Sequence, residues 1–388
     1  MSSRGTVSIV SPSFHPMIGG IESYLLGVGG ELVKSGFEVH LFTPDSVMKR
    51  RLAPKEEIVR GISVHRIRVL FDLSYRLRVW PGLLSSLDEY DSDLIHVYSH
   101  DLYAPFAALA ARRERVPLLM TTYGPFQSHS AYGAASSFLF SAYDSLVTPR
   151  LFRSCDLVFV RYPELCGWVS SLGVERERIV LEPSGIPSEY LVPARKGGSP
   201  AARGPVILYL GRVSAQKGVQ YAVMAMRKIR ERHRDALLNI VGPDYIGYTE
   251  YLRSLASRCG VEENVVFSGA VTDPGLEASA VASSDVLVMP SSFEGFSQAV
   301  MKGMAQGKPC VVTAVGGLPY EVDYGRCGLL CRFGDPRSLA DGVLSLLESP
   351  ELAGRLSASA RERAGRFTFE SIASTLSAKY EEAVRRHA

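Results

Sequence analysis

Arg212, Lys217 and Glu294 are the side chains whose types and settings could act on an anion and the sugar it carries. Arg212 and Lys217 lie in Gly211-Arg-Val-Ser-Ala-Gln-Lys-Gly218, between a strand-like run (Val206–Leu210) and a helix-like stretch starting at Val219. Two cationic heads that bracket one turn can converge on a single spot at the strand's carboxyl end. That pairing suits a diphosphate, both as ligand and as leaving group. An ordinary solvated loop is the plainer alternative for this segment alone. Glu294 sits in Met289-Pro-Ser-Ser-Phe-Glu-Gly-Phe-Ser-Gln298, after the apolar run Asp285–Met289 and before an apolar-periodic helix that Gly307 and Pro309 end. A helix start behind such a loop points N–H groups at an anion, typically phosphate. A carboxylate beside that cradle repels phosphate and is better used to accept hydrogen bonds from neutral hydroxyls. A sugar attached to the phosphate supplies them, so the three residues together read as a nucleotide-sugar site.

Other segments offer weaker chemistry. Gly19-Gly20 follows a strand and opens a helix, so backbone there can approach a ligand closely. It is not G-x-G-x-x-G, which removes support for a dinucleotide site, and a plain tight turn is the alternative. Gly316-Gly317-Leu-Pro-Tyr-Glu321, just past the strand ending at Thr313, is expected to line the same side as Glu294. His100 follows the strand Leu94–Tyr98 and Tyr123 follows Leu118–Thr122; both are candidates for an acceptor side, with a structural role as the alternative for His100. His96, inside its strand, belongs to the core. Asp91-Ser-Asp93 matches the D-x-D pattern of metal–diphosphate sites, but it precedes a strand and reads as turn chemistry, so no metal is expected.

The elements that must position these residues alternate strand and helix twice over. Strands fall at Thr6–Ser11, Glu38–Thr43, Ile62–Val69, Leu94–Tyr98, Leu118–Thr122, Leu157–Val160 and Ile179–Leu181, with helices at Ile21–Ser35, Tyr103–Arg113, Ala134–Arg153 and Pro163–Leu172. Pro193 to Pro205 is rich in Pro, Gly and small residues and reads as a linker. The pattern then restarts with strands Val206–Leu210, Ala236–Val241, Val265–Phe267, Val286–Met289 and Cys310–Thr313. Such alternation means parallel sheets covered on both faces, hence two Rossmann-like domains with a ligand expected in the cleft between them. The expected boundaries are 1–190 for an acceptor-side domain, 191–204 for a linker, 205–366 for a donor-binding domain and 367–388 for a terminal helix.

Composition excludes several classes. With 46% hydrophobic and 21% charged residues the chain is globular, and a net charge of +3 gives no footprint for nucleic acid. No apolar run approaches the roughly 18 residues of a membrane span, and the start Met1-Ser-Ser-Arg-Gly5 is unlike a signal peptide. Six scattered cysteines without a C-x-x-C pair point to reduced thiols in a cytoplasmic chain. Charge is uneven: Lys49 to Arg78 carries nine Lys/Arg against three Asp/Glu, followed by Trp80-Pro-Gly-Leu-Leu84. Basic residues beside exposed apolar ones would suit peripheral contact with an anionic inner-membrane surface or a lipid-linked acceptor, with a solvated face as the alternative.

Taken together these loops resemble the retaining family-4 glycosyltransferases of GT-B fold, over nearly the whole chain. Gly19-Gly20 is similar to the family's N-terminal Gly-Gly loop, and Leu94 to His100 to its acceptor-side histidine region. Glu182-Pro-Ser-Gly-Ile186 resembles the hinge-side P-N-G-V element, with Ser184 for Asn. Arg212 and Lys217 resemble the diphosphate-binding pair, Pro290 to Met304 the E-x7-E segment, and Gly316 to Glu321 the G-G-x-P-E loop. The resemblance implies a metal-independent, retaining hexosyl transfer from a UDP- or GDP-sugar to a hydroxyl on a lipid-linked or glycan acceptor. It implies Glu294, Arg212 and Lys217 as catalytic residues, and Gly19, Gly20, Gly295, Phe296, Ser297, Gln298, Lys302 and Val271 as donor-binding. It also implies that the leaving phosphate takes the acceptor's proton, and that the last helix, Glu370–Arg385, crosses back onto the first domain. Two positions depart from the pattern. Lys302 stands where a second Glu usually holds the nucleotide ribose, and Tyr123 stands where His often precedes Gly. These departures motivate the alternative of a catalytically weak sugar-nucleotide-binding subunit.

Overall fold

The computed structural model describes residues 4–17, 19–47, 50–51, 54–74, 77–125, 134–195, 197, 203–244 and 246–387. Lys49 and Arg76 of the basic run, and 196 and 198–202 of the expected linker, lie outside them. The chain divides into two compact units: Met1–Gly185 with Phe369–Ala388, and Ile186–Thr368.

The first unit is built on an eight-stranded sheet: β1 (Gly5–Val10), β2 (Phe37–Pro44), β3 (Glu56–Val59), β4 (Ile62–Ile67), β5 (Leu94–Tyr98), β6 (Leu118–Thr122), β7 (Leu157–Val160) and β8 (Ile179–Leu181). Their order is β8-β7-β6-β5-β1-β2-β4-β3. The expectation of purely parallel sheets fails at one edge, where β3 pairs antiparallel with β4. Arg60 and Gly61 between them both have positive φ (52° and 82°), which makes the two-residue turn that joins a twisted hairpin. The single helix expected over Ala134–Arg153 is two, Ala134–Leu146 and Thr148–Arg153, with Pro149 in the first turn of the second.

Helix α1 (Gly20–Lys34) covers one face of this sheet. Helix α6 (Phe369–His387), the last of the chain, packs beside it, and Phe369, Ile372, Leu376 and Tyr380 join Tyr24, Leu25 and Val28 in one buried cluster. The Tyr380 hydroxyl reaches His96 Nδ1 at 2.7 Å, so the final helix is hydrogen-bonded into the sheet's centre.

The second unit carries six parallel strands: β9 (Val206–Leu210), β10 (Leu237–Val241), β11 (Val265–Gly269), β12 (Val286–Met289), β13 (Cys310–Thr313) and β14 (Leu329–Cys331), in the order β11-β10-β9-β12-β13-β14. Residues of β9, β12 and β13 are buried throughout, as continuous apolar runs must be when helices cover both faces. Helices α2 (Ala104–Glu114) of the first unit and α3 (Val219–Arg232), α4 (Pro274–Ala282) and α5 (Gln298–Ala305) of the second are among the covering layers. Among the described residues each unit has a buried cluster of its own, and in the first unit Phe42, Trp80, Val97, Met120 and Phe152 are buried outside that cluster.

All six cysteines are unpaired; Cys155, Cys310, Cys327 and Cys331 are buried, while Cys166 and Cys259 are partly exposed. Burial raises the Cys155, Cys310 and Cys327 thiols and pushes Cys331 up to about 12. No helix among the described residues is long and apolar enough to cross a membrane. The expected apolar surface at 80–84 is partly wrong: Trp80 and Leu83 are fully buried and Arg66 and Arg78 nearly so, whereas Ile58, Leu70 and Phe71 are exposed.

Candidate functional site

In the second sheet the strand order turns at the β9–β12 pair: β10 and β11 lie to one side, β13 and β14 to the other. Open α/β sheets leave a crevice outside the carboxyl ends of the strands at such a point. The loop after β9 is 211–218 and the loop after β12 is 290–297, so both segments singled out in the sequence meet there. They are bound to each other. The Ser292 N–H and hydroxyl both donate to the Gln216 carbonyl, at 2.9 and 3.0 Å. Gly218 has φ +68°, and a Cβ there would lie 1.9 Å from the Pro290 carbonyl oxygen, so only glycine allows the approach. The Thr313 hydroxyl holds the Ser291 carbonyl at 2.7 Å, and the Tyr209 hydroxyl holds that of Arg212 at the same distance.

On this frame Lys217 Nζ stands 2.6 Å from Glu294 Oε1, with side chains only 17% and 10% exposed. The Ser291 hydroxyl donates to the same carboxylate oxygen at 2.9 Å. Arg212 is exposed, and among the described residues its guanidinium enters no ion pair. Ser297 is the N-cap of α5, its side chain accepting from Val300 N–H, and Gln298 opens the helix. Gly295 and Phe296 lie between, the Phe296 ring edge-on to Phe367 at 6.0 Å. Val271, just past β11, packs against the core of the unit.

The Gly316–Glu321 segment clamps this loop. Gly316 has φ +55°, and a Cβ on it would come within 2.0 Å of the Glu294 carbonyl oxygen. The Gly317 N–H donates to that oxygen at 2.8 Å, and the Ser297 N–H donates to Glu321 Oε1 at 2.5 Å. Glu321 is completely buried, and burial holds its carboxyl well above the usual range, against the pull of the Ser297 amide.

Lys302, one turn into α5, is engaged by residues the sequence reading passed over. Its ammonium lies 2.5 Å from Glu277 Oε1 on α4 and 5.0 Å from the centre of the Tyr190 ring. Tyr190 donates its hydroxyl to the same Glu277 oxygen at 2.5 Å. Buried Gln306 holds the Tyr190 and Val192 carbonyls and the Ala194 N–H, fixing the chain entering this unit. Glu277 follows Asp273-Pro-Gly-Leu, where Asp273 is an N-cap, so along the chain it reads as an ordinary first-turn acid.

Four expected site residues belong to the first unit. Gly19 is the N-cap of α1, followed by Gly20; buried Glu22 folds back over Gly19, so that a Cβ there would lie 2.3 Å from its Oε2, and accepts a hydrogen bond from Ser13. A resident carboxylate at that helix start disfavours a second anion. His100 is buried, with Nε2 3.3 Å from Asp144 Oδ1 and its ring edge-on to Phe152. The Tyr123 hydroxyl accepts from Arg161 at 3.3 Å. Arg161 in turn forms a fully buried ion pair with Glu182, also at 3.3 Å, and lies 4.3 Å from the Tyr24 ring centre. Asp93 Oδ2 accepts the Thr6 N–H at 2.7 Å. Among the described residues no group of three or more His, Cys, Asp or Glu could hold a metal ion.

Comparison with known proteins gives the family. The family described as Glycosyltransferase Family 4 matches residues 18–190, and Glycosyl transferases group 1 matches residues 194–363. The chain is 27% identical over 389 residues to D-inositol 3-phosphate glycosyltransferase of Corynebacterium efficiens, covering 94% of this chain and 91% of that one. It is 29% identical over 339 residues to GDP-mannose-dependent alpha-mannosyltransferase of Mycolicibacterium smegmatis, covering 84% of each. Among solved structures, sucrose-phosphate synthase from Thermosynechococcus elongatus matches with a TM-score of 0.78 at 21% identity, over 98% of this chain and 99% of that one. The two family matches follow each other along one chain of two parallel-sheet units, and the relatives are glycosyltransferases along most of its length. This chain belongs to the family-4 glycosyltransferases of GT-B fold.

Proposed function

We propose that this protein transfers a hexose from a UDP- or GDP-sugar to a hydroxyl of a lipid-linked or glycan acceptor, with retention and without a metal. The observation that carries this reading is the Lys217–Glu294 pair at the turning point of the second sheet. Arg212, Lys217 and the start of α5 take the diphosphate, and Glu294 takes hydroxyls of the sugar. The bond from the anomeric carbon to the diphosphate breaks and a bond to the acceptor oxygen forms on the same face. The acceptor's proton leaves on the departing phosphate, so no protein base is required. Glu277 offers the carboxylate that Lys302 does not, and we assign it the nucleotide ribose. His100 and Tyr123 serve the acceptor side, and exposed Leu70 and Phe71 favour peripheral contact at the inner membrane face.

The experiment is release of nucleoside diphosphate from a panel of UDP-, GDP- and ADP-sugars, with and without lipid and glycan acceptors and with a chelator present. The product's anomeric coupling, read by NMR, decides retention. Turnover that disappears with chelator refutes the metal-free step. Tight nucleotide binding without turnover under any acceptor supports the binding-subunit alternative.

A further inference from the structure

Glu321 is the acid of the donor site that neither the charge pattern nor the proposed chemistry uses. Its surroundings define what it does. The Glu294–Ser297 loop is tied to the Gly316–Glu321 segment at both ends: the Glu294 carbonyl accepts from Gly317 N–H, and the Ser297 N–H donates to Glu321 Oε1. The loop that carries Glu294 therefore has its last residue fixed by a side chain 24 positions away.

That side chain is 0% exposed, and Oε2 has no hydrogen-bond partner among the described residues. The nearby cations are occupied elsewhere. Lys217 pairs with Glu294. Arg363 gives Nε to the Glu321 carbonyl and a terminal nitrogen to that of Tyr320, so it serves the main chain, and it lies 3.8 Å from Asp323. Glu294 faces Glu321 with like charge, and the neighbouring strand presents the buried thiol of Cys310. An ionised Glu321 would be a buried charge held by one amide, with a bare oxygen. The protonated form leaves only one unsatisfied hydroxyl, which is the far smaller penalty. The start of α5 favours the anion, but total burial outweighs a helix end.

We propose that Glu321 is the positioning residue of the donor-sugar loop and acts as a neutral carboxylic acid. Neutrality matters because an anion at the start of α5 would oppose the diphosphate that this helix end is assigned. The inference deepens the donor site proposed above and rests on that assignment for its catalytic consequence, though not for the protonation state.

The test uses the full chain. Infrared difference spectra of wild type minus Glu321→Gln at neutral pH are expected to show the carbonyl stretch of a protonated carboxylic acid. Glu321→Gln, neutral and of equal reach, should keep kcat and donor KM close to wild type. Wild type should lose donor affinity as pH rises into the range where Glu321 ionises, and Glu321→Gln should not. Glu321→Ala should lower kcat by about 100-fold, with a much smaller change in donor KM, because a loop misplaced by about 1 Å loses turnover on that scale. No acid band, or a Gln variant as impaired as the Ala variant, overturns the proposal. If Glu321→Ala unfolds, the infrared band and the Gln variant decide. If wild type turns over no sugar nucleotide, the transferase reading falls, while the infrared spectrum still judges Glu321.

Discussion

Replacing Gly316 with alanine probes how tightly the position of Glu294 is set. A Cβ at residue 316 would stand 2.0 Å from the Glu294 carbonyl oxygen and 3.2 Å from its nitrogen. A carbon–oxygen contact needs roughly 3.3 Å, so the Glu294 main chain must retreat by about 1 Å. That retreat stretches the 2.8 Å bond from Gly317 N–H and carries the carboxylate away from Lys217 and Ser291. Overpacking of this kind costs about 1–3 kcal/mol, and a non-glycine residue at φ +55° adds about 1 kcal/mol. The sum, about 2–4 kcal/mol, corresponds to a fall in melting temperature of roughly 4–16 °C for a unit of this size. Turnover should fall about 100-fold, since a displacement of about 1 Å in a catalytic group has that effect. Gly325→Ala is the control: its φ is +100°, yet nothing lies within 4 Å of its Cβ position, so it carries the backbone strain without the collision. Calorimetry and nucleoside diphosphate release at saturating donor measure both quantities. A folded Gly316→Ala protein with wild-type turnover refutes the reasoning, as does a Gly325→Ala protein that loses as much.

Lys217→Ala should reduce turnover by about 10²–10³-fold and also destabilise the second unit, because it leaves Glu294 with Ser291 alone; adding Glu294→Gln should recover much of the melting temperature and none of the activity. If the double variant melts below the single one, the pair does not act as a unit. Glu277→Gln should weaken binding of UDP or GDP about tenfold or more by titration calorimetry, and leave the 2′-deoxy nucleotides little affected; equal loss for both would make the Lys302–Glu277 contact purely structural. Buried His96, held by Tyr380 and Thr121, has its pKa pushed well below the usual value by burial, with Arg161 adding to the effect. The unfolded chain then binds a proton below about pH 6.5 that the folded chain refuses, so stability is present above that pH and lost as pH falls through it. Thermal melts against pH should show the slope, blunted in His96→Gln; identical slopes in the two proteins would count against it.

Much of the second unit was legible along the chain. Val206–Leu210, Val286–Met289 and Cys310–Thr313 are apolar runs bounded by Gly or Pro, and their limits coincide with the observed strands. The strand–loop–helix spacing around Arg212, Lys217 and Glu294 was enough to place all three at one sheet edge. What spacing does not carry is pairing over long separations. Lys217 and Glu294 were assigned to different parts of a ligand, yet they contact each other across 77 positions. Glu277 is a first-turn acid in sequence and a partner of Lys302 and Tyr190 in space. Arg161 and Glu182 are ordinary polar letters whose burial depends on Tyr24, Tyr98 and Tyr123 closing around them. The β3–β4 hairpin was missed because Glu56–Val59 alternates weakly, and its turn signal, Arg60-Gly61, is one residue away from the commoner Asn-Gly.

The distribution of thiols makes the two halves individually addressable. Four sulfurs are shut away with their reactivity suppressed, leaving Cys166 in one unit and Cys259 in the other as the accessible pair. The natural protein thus comes with one labelling handle per half. A thiol-reactive probe on either sulfur would therefore report on the half that carries it, with no cysteine added or removed.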